Sequence, residues 1–392
     1  MNDDPITLTL GEDYPEIREG VRRICAAFPG AYWRELDERE AYPSEFVQAM
    51  TDAGYLAALI PEAYGGAGLP LRAAGVILEE VHASGGNAGA THAQMYTMGT
   101  VLRHGSAEQK AKYLPEIAAG RLRLQAFGVT EPSTGTETTR LKTRAVRDGD
   151  HYVIDGQKIW TSRALYSDLM LLLARTTPLE QVTRKTEGLS VFLVDMRQAV
   201  GHGMTIRPIK AMINHNTTEV FFDGLRIPAS SLVGTEGQGL RHIMDGMNAE
   251  RILVSHESIG DARWFVQTAV RYANERIVFG RPIGQNQGIQ FPIARAYAQA
   301  QAAELMLRRA AATFEAGRPC GEEANLGKLL SAEAAWEAAE ACMQTHGGFA
   351  YAREYDIERK WREARVQRTA PISTNLILSY LAEHVLGLPR SY

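Results

Sequence analysis

Glu250 is the residue whose surroundings in the chain raise a chemical question. It lies in the stretch 237–284, where Leu240, Ile243, Met247 and Val254 recur at the spacing of one helix face. Ile243, Met247, Glu250 and Val254 are separated by four, three and four residues. A helix running on from Leu240 therefore puts a carboxylate where a core-facing stripe would carry hydrocarbon. Burying an ionised carboxylate is costly, and one held in such a place is a candidate proton acceptor. The plainer alternative is a glutamate paired with an arginine, and Arg251 and Arg276 are both available. The stripe alone leaves the two readings open.

Other chemistries find less support. The 10 histidines form no HExxH pattern, and no Cys/His set has zinc spacing. His82 and His92 read as polar packing or surface residues, so no metal site is expected. There is no Walker A loop and no GxSxG elbow. Gly234–Gly239 is glycine-rich but lacks a strand–turn–helix context, which argues against a Rossmann nucleotide site.

The elements that must position Glu250 follow from the rest of the chain. Its 392 residues exceed one simple core and suggest two or three packed units. A hydrophobic fraction of 45% and a charged fraction of 22% are ordinary for a soluble globular protein. A net charge of -4 gives no reason to expect nucleic acid or an anionic membrane as partner. The 3 cysteines, Cys25, Cys320 and Cys342, are far apart and fit a reducing cytoplasm. The acidic opening MNDDPITLTL has no basic n-region, so no signal peptide is expected. Leu169–Ala174, the most apolar segment, is far too short to span a membrane.

Residues 1–122 read as a helical domain, with one helix beginning at Pro43-Ser44-Glu45, running through Phe46, Val47 and Met50 and stopping at Gly54, and others at Leu71–His82 and Ala93–His104. A Ser106-x-x-Gln109 capping pattern opens a short helix expected to end near Pro115. Residues 123–235 turn to β-branched and alternating runs, with a hairpin at Asp148-Gly149 and strands at Leu169–Arg175, Leu189–Asp195, Met204–Ile209 and Thr218–Phe222. Residues 236–392 return to helix, broken at Phe279–Pro282 and His346–Phe349. The expected fold is mainly α with a central β-domain.

Several segments resemble one family. Phe127–Glu137 (FGVTEPSTGTE) is similar to a TEPxxGSD loop, and Lys158–Ser162 (KIWTS) to a KxWITN segment. Arg276-x-x-Phe279-Gly280, followed by Gln287, is similar to an RxxFG…Q signature. With Gln344-x-x-Gly347-Gly348-Phe349 and Glu358-Arg359-x-x-Arg362-x-x-Arg365, their order and spacing resemble the acyl-CoA dehydrogenases from residue 14 to residue 388. The resemblance implies a helical N-terminal domain, a middle β-barrel or sandwich and a C-terminal four-helix bundle, with FAD and an acyl-CoA thioester meeting between them. It also implies a homotetramer built as a dimer of dimers, α-proton removal with β-hydride leaving for flavin N5, and an electron-transfer flavoprotein as acceptor.

Carried over residue by residue, Trp160 would cover the flavin ring, Ser162 would bond its N5, and Phe127, Val129 and Thr130 would line its edge. Arg276 and Gln344 to Gly348 would hold a pyrophosphate across a subunit boundary, a guanidinium fork suiting phosphate and glycines admitting close backbone approach. Phe279, Gln287, Ser373 and Asn375 complete the expected cofactor set. Thr136 and Arg251 would contact CoA, while Met247 and Gln94 would border the acyl pocket. Outside the family, Trp160 would be a core residue, Ser162 and Thr130 strand hydroxyls, and Arg276 a solvated helix-end cation.

The base departs from the family's commonest pattern. Most members carry the glutamate in a late Tyr-Glu-Gly-Thr-Ser run, but here Pro371 stands at that place. A smaller branch, typified by isovaleryl-CoA and long-chain dehydrogenases, carries it one residue before the CoA-contacting arginine, which Asn248-Ala-Glu250-Arg251 resembles. Pro371 has no N–H, so a backbone donor to the thioester oxygen would be missing, and losing such a donor costs about 3 kcal/mol. Two further readings stay open: a low-activity flavin- or CoA-binding subunit of a heteromeric pair, and a flavin oxidase or monooxygenase on the same scaffold.

Overall fold

The structure is a computed structural model and describes residues 11–391. The opening decapeptide, on which the signal-peptide expectation rests, lies outside them. The first part of the chain holds α1 (Pro15–Ala26), α2 (Gly30–Glu38), α3 (Ser44–Asp52), α4 (Leu71–Ala83), α5 (Gly89–His104) and α6 (Ala107–Ala118). Strands β1 (Leu124–Gly128), β2 (Arg144–Asp148), β3 (His151–Ser162), β4 (Leu169–Arg175) and β5 (Leu189–Asp195) follow. A single turn, α7 (Met196–Ala199), leads to β6 (Met204–Pro208), β7 (Thr217–Pro228) and β8 (Leu232–Val233). The last part holds α8 (Gly239–Met244), α9 (Met247–Glu275), the short pair β9 (Ile277–Val278) and β10 (Arg281–Pro282), α10 (Gln287–Glu315), α11 (Gly321–His346), α12 (Ile357–Val366) and α13 (Thr374–Tyr380). The order is helices, sheet, helices, as the sequence implies.

By packing, the residues fall into two units. One contains Leu36–Leu69 and Gly89–Met247. Its strands form one open sheet in the order β6-β7-β3-β2-β4-β5-β8, with β1 also pairing β4 in parallel. The sheet does not close into a barrel. β4 is buried along its whole length because both of its faces are covered. Leu169, Leu171 and Leu173 pack with Met98, Val101, Leu114 and Ile117 of α5 and α6. Met170, Leu172 and Ala174 turn the other way, toward Tyr152, Ile154, Val220 and Phe222.

Local signals act as their chemistry requires. Ser106 Oγ accepts from the Gln109 N–H at 3.1 Å and Gln109 Oε1 from the Ser106 N–H at 3.0 Å, closing the capping box of α6. The helix runs past Pro115 to Ala118, three residues beyond the expected end. In the β2–β3 hairpin Asp148 pairs with His151, and Gly149 takes the left-handed φ of 61° that the two-residue turn needs. The expected single helix from Leu240 is interrupted at Asp245-Gly246, so Ile243 and Met247 belong to different helices. At the break Gly246 leaves room for Arg103: a Cβ there would lie 2.4 Å from its guanidinium.

The other unit contains the residues up to Glu35, Pro70–Ala88 and Asn248 onward. α9 and α4 touch backbone to backbone, since a Cβ on Gly260 would fall 2.3 Å from the Glu79 carbonyl oxygen. Charges are buried there only in company. The Glu79 carboxylate accepts from Arg18 at 2.8 Å and Arg263 at 2.5 Å, and lies 2.9 Å from His256 Nδ1. Burial raises its proton affinity, but His256 and the two arginines outweigh that and hold it well below the usual carboxylate range.

Candidate active site

The expected site residues fall into three groups, one in the sheet unit and two at opposite ends of α9 in the helical unit. In the sheet unit, the end of β1 and the last residues of β3 are tied by a buried ion pair. Lys158 Nζ donates to Glu131 Oε1 at 2.9 Å and to the Val129 carbonyl at 3.0 Å. Glu131 also accepts from the N–H groups of Lys142 at 2.6 Å and Thr143 at 2.8 Å. The Thr130 carbonyl takes the Ile159 N–H at 2.9 Å. Burial pushes Lys158 down to about 8, with Glu131 opposing. Burial acts on Glu131 in the raising direction, and Lys158 with the backbone donors more than offsets it.

This clamp holds Val129 and Thr130 beside Trp160. The β3–β7 register shifts between Lys158 and Thr161, and Trp160 sits in that irregularity at a φ of 60°. A left-handed tryptophan costs about 1–3 kcal/mol in backbone strain. It also leaves 59% of the side chain's residue surface exposed, so neither packing nor backbone preference explains it. Ser162 Oγ lies 3.2 Å from Thr217 Oγ1. Phe127 meets Tyr96 edge-on at 5.5 Å, and Tyr96 lies 5.4 Å from His92. Gln94 is fully buried on α5, and neither atom of its amide finds a hydrogen-bond partner among the described residues. Thr136 is exposed in the loop, and Met247 is half-buried against the apolar cluster under the sheet.

In the helical unit, Glu250 occupies the first turn of α9 and is 5% exposed. The positive end of the helix favours an anion there. Arg251, also buried, donates from Nη1 to Asn248 Oδ1 at 2.9 Å and so faces the helix start rather than solvent. Arg276 lies just beyond the other end of α9, and 1.5 Å per residue separates it from Glu250 by roughly 40 Å along the axis. Within one chain Arg276 is therefore excluded as the partner of Glu250.

Arg276 belongs to a second patch. Its guanidinium lies 5.4 Å from the Phe349 ring centre, and Gln344, Gly347 and Gly348 are exposed at the end of α11. A Cβ added to Gly280, Gly347 or Gly348 would meet nothing within 4 Å. Phe279 stands fully exposed between β9 and β10, and Gln287 is exposed at the first residue of α10. Ser373 caps α13 by accepting from the Leu376 N–H at 3.4 Å, with Asn375 exposed in the same turn. Arg276, beside Phe349 and the open glycine backbone at the end of α11, is suited to a phosphate group; Gln287 at the start of α10 and Ser373 and Asn375 on α13 stand on other elements.

Comparison with known proteins decides the family. The acyl-CoA dehydrogenase N-terminal, middle and C-terminal domain models match residues 11–121, 126–225 and 237–386. The chain belongs to the acyl-CoA dehydrogenase family. An acyl-CoA dehydrogenase, fadE12, of Mycobacterium bovis is 32% identical over 384 residues, covering 97% of this chain and 98% of that protein. A glutaryl-coenzyme A dehydrogenase in complex with glutaryl-CoA overlays with a TM-score of 0.90 at 27% identity, covering 97% of each chain. A chain from a structure of the electron transferring flavoprotein of Acidaminococcus fermentans overlays with a TM-score of 0.89 at 28% identity, covering 96% of this chain and 98% of that one.

The protein is thus a flavoprotein oxidoreductase acting on the CH–CH bond of acyl-CoA, with FAD as cofactor. The exposed, strained Trp160 and the open glycine cradle beside Arg276 fit a flat ring system and a pyrophosphate respectively. No helix of the described residues is long and apolar enough to cross a membrane, and no group of three or more His, Cys, Asp or Glu among them could hold a metal ion.

Sequence reading missed three buried charged residues. Glu131 and Lys158 both lay inside quoted motifs, yet nothing in the text announces that they meet. Lys328, on the alanine-rich α11, gave no signal at all, although it is 1% exposed and donates to the carbonyl of Gln367.

Proposed function

We propose that this acyl-CoA dehydrogenase removes the proton alpha to the thioester with Glu250 while the beta hydrogen leaves as hydride, giving a 2-enoyl-CoA. FAD, when bound, accepts that hydride. The proton goes to the Glu250 carboxylate, and the electron pair it leaves on the alpha carbon becomes the double bond as the beta hydrogen departs. The observation that carries the reading is a buried carboxylate in the first turn of α9, in a chain with Pro371 at the family's other glutamate position. A carboxylate kept from water abstracts a proton without first shedding a hydration shell.

The other residues hold and exclude. Trp160 would shield a ring face, while Phe127, Val129, Thr130 and Ser162 would offer contacts along its edge. Thr136 and Arg251 would face CoA, and Met247 and Gln94 would border the acyl chain. Arg276, Phe279, Gln287, Gln344, Gly347, Gly348, Ser373 and Asn375 would receive the rest of a cofactor. With roughly 40 Å of α9 between Glu250 and Arg276, the phosphate patch of one chain would serve the flavin of another, which needs at least two chains; the homotetramer arranged as a dimer of dimers is proposed from the family resemblance. Light scattering of the purified protein checks that assembly. An electron-transfer flavoprotein as acceptor and a cytoplasmic location complete the proposal.

Replacing Glu250 with Gln is the test. The variant should bind FAD normally and lose anaerobic bleaching by an acyl-CoA panel. Bleaching at the parental rate would remove Glu250 from its role. Pro371 supports a second reading, a flavin- and CoA-binding subunit of low activity, because a proline offers the thioester oxygen no N–H. Complete reduction of the isolated wild-type protein's flavin by any acyl-CoA would dispose of it.

A further inference from the structure

Between Lys158 and Thr161, strand β3 carries one residue more than its partner. Lys158 pairs with Val220 and Thr161 with Thr218, so Ile159 and Trp160 together stand opposite Glu219 alone. That is a bulge, a device that re-aims a side chain, and here it leaves the Trp160 indole exposed at a φ of 60°. The Ile159 N–H leaves the β3–β7 ladder and goes to the Thr130 carbonyl at 2.9 Å. On the far side of the tryptophan, the wholly buried Thr218 donates from Oγ1 to the Thr161 carbonyl at 2.7 Å.

The bulge begins at Lys158, whose ammonium is buried against Glu131 at 2.9 Å and the Val129 carbonyl at 3.0 Å. A buried ion pair is seldom worth more to a fold than apolar residues of the same volume, so stability alone does not account for it. Its position does. Lys158 bonds the backbone at 129, Ile159 bonds the backbone at 130, and Glu131 takes the N–H groups of Lys142 and Thr143. Loop and bulge therefore hold each other residue against residue. Val129 and Thr130 are half-buried and Trp160 is exposed, while the two charges that fix them are shut away from water.

We infer that Glu131 and Lys158 are positioning residues for FAD: the pair holds Val129, Thr130 and the strained Trp160 in the arrangement that receives the flavin, before the flavin binds. The inference rests on those three residues as flavin contacts. Lys158→Met removes the donor to Val129 and leaves Glu131 on its two backbone N–H groups. The double variant E131Q/K158M removes both charges together, so that no buried ion is left unpaired. In each, loaded with FAD, the dissociation constant read from release of fluorescent free FAD on dilution should rise roughly 5- to 150-fold. That factor equals the strain that binding must then restore at Trp160. Emission from Trp160, taken as the difference between each protein and its W160F counterpart, should be quenched less at full FAD occupancy than in the wild type. A merely structural role would lower the urea midpoint and leave both readouts of the folded protein unmoved.

A folded K158M or double variant with the wild-type FAD dissociation constant and wild-type Trp160 quenching overturns the inference, and either variant suffices if the other does not fold. Failure of both to fold overturns a role in presentation, since the pair would then be required by the sheet unit itself. If Trp160 emission in the wild type is indifferent to FAD, the flavin contact at Trp160 fails and takes the inference with it. The E250Q test of the base is independent of all these outcomes.

Discussion

Replacing Glu131 by alanine removes the carboxylate that Lys158 and two backbone N–H groups share, and its cost can be worked out from that geometry. Lys158 sits near 8 in the folded protein against an ordinary 10.5, so below pH 8 it already lowers stability by about 3 kcal/mol at 1.36 kcal/mol per unit. Without Glu131 it can at worst give up its proton, which at pH 7 caps the lysine's cost near 5 kcal/mol, an increment of about 1.5. Two orphaned N–H groups, of Lys142 and Thr143, add about 1–3 kcal/mol each. The expected loss is roughly 4–7 kcal/mol, at or above the range of about 3–5 for breaking a buried ion pair by deleting one partner. Lys158→Met should cost less, because Glu131 keeps both backbone donors and can take up a proton. Urea unfolding followed by tryptophan fluorescence reads both, as shifts in midpoint at unchanged slope. The pH dependence supplies an independent check. The folded value lies below the unfolded one, so between about 8 and 10.5 the unfolded chain binds more protons and wild-type stability rises with pH. Lys328, also near 8, contributes to the same window, so K158M should shrink that rise by about half without abolishing it. A cost under about 1 kcal/mol for E131A, or a larger cost for K158M than for E131A, refutes the reasoning.

Two smaller perturbations test the packing that presents the site. Gly260→Ala gains about 1 kcal/mol of helix propensity but drives a methyl to within 2.3 Å of the Glu79 carbonyl, and overpacking against backbone costs about 1–3 kcal/mol or more. A net fall in the thermal midpoint is expected, and a rise would show that α4 and α9 can separate freely. Ser106→Ala opens the capping box of α6 and should lower stability by about 1 kcal/mol, while Ser106→Asp should retain most of it. Equal losses for both variants in urea titrations would count against the cap.

How much of this was legible in the text depends on the range of the interaction. Ser106 and Gln109, Asp148 and Gly149, and the two-sided run Leu169–Arg175 act through neighbours in sequence, and their elements appear where the chemistry predicts. β1 escaped notice because its Leu124–Gly128 pairs with β4 some forty-five residues on and carries no turn signal of its own. The apolar stripe through Glu250 was read across a break it does not survive: Gly246 admits Arg103, a contact from 143 residues earlier, and the helix restarts at Met247. Glu250 is nevertheless buried, because the restarted helix turns its first face inward. The buried cations were the least visible. Lys158 looks like one more strand residue and Lys328 like a surface lysine between alanines, since the pattern of a chain records which residues are apolar and not which charges meet. That asymmetry has a physical root. A hydrocarbon is buried by any apolar neighbour, so its periodicity suffices, whereas a buried ammonium needs a particular oxygen, and only the folded chain says whose it is.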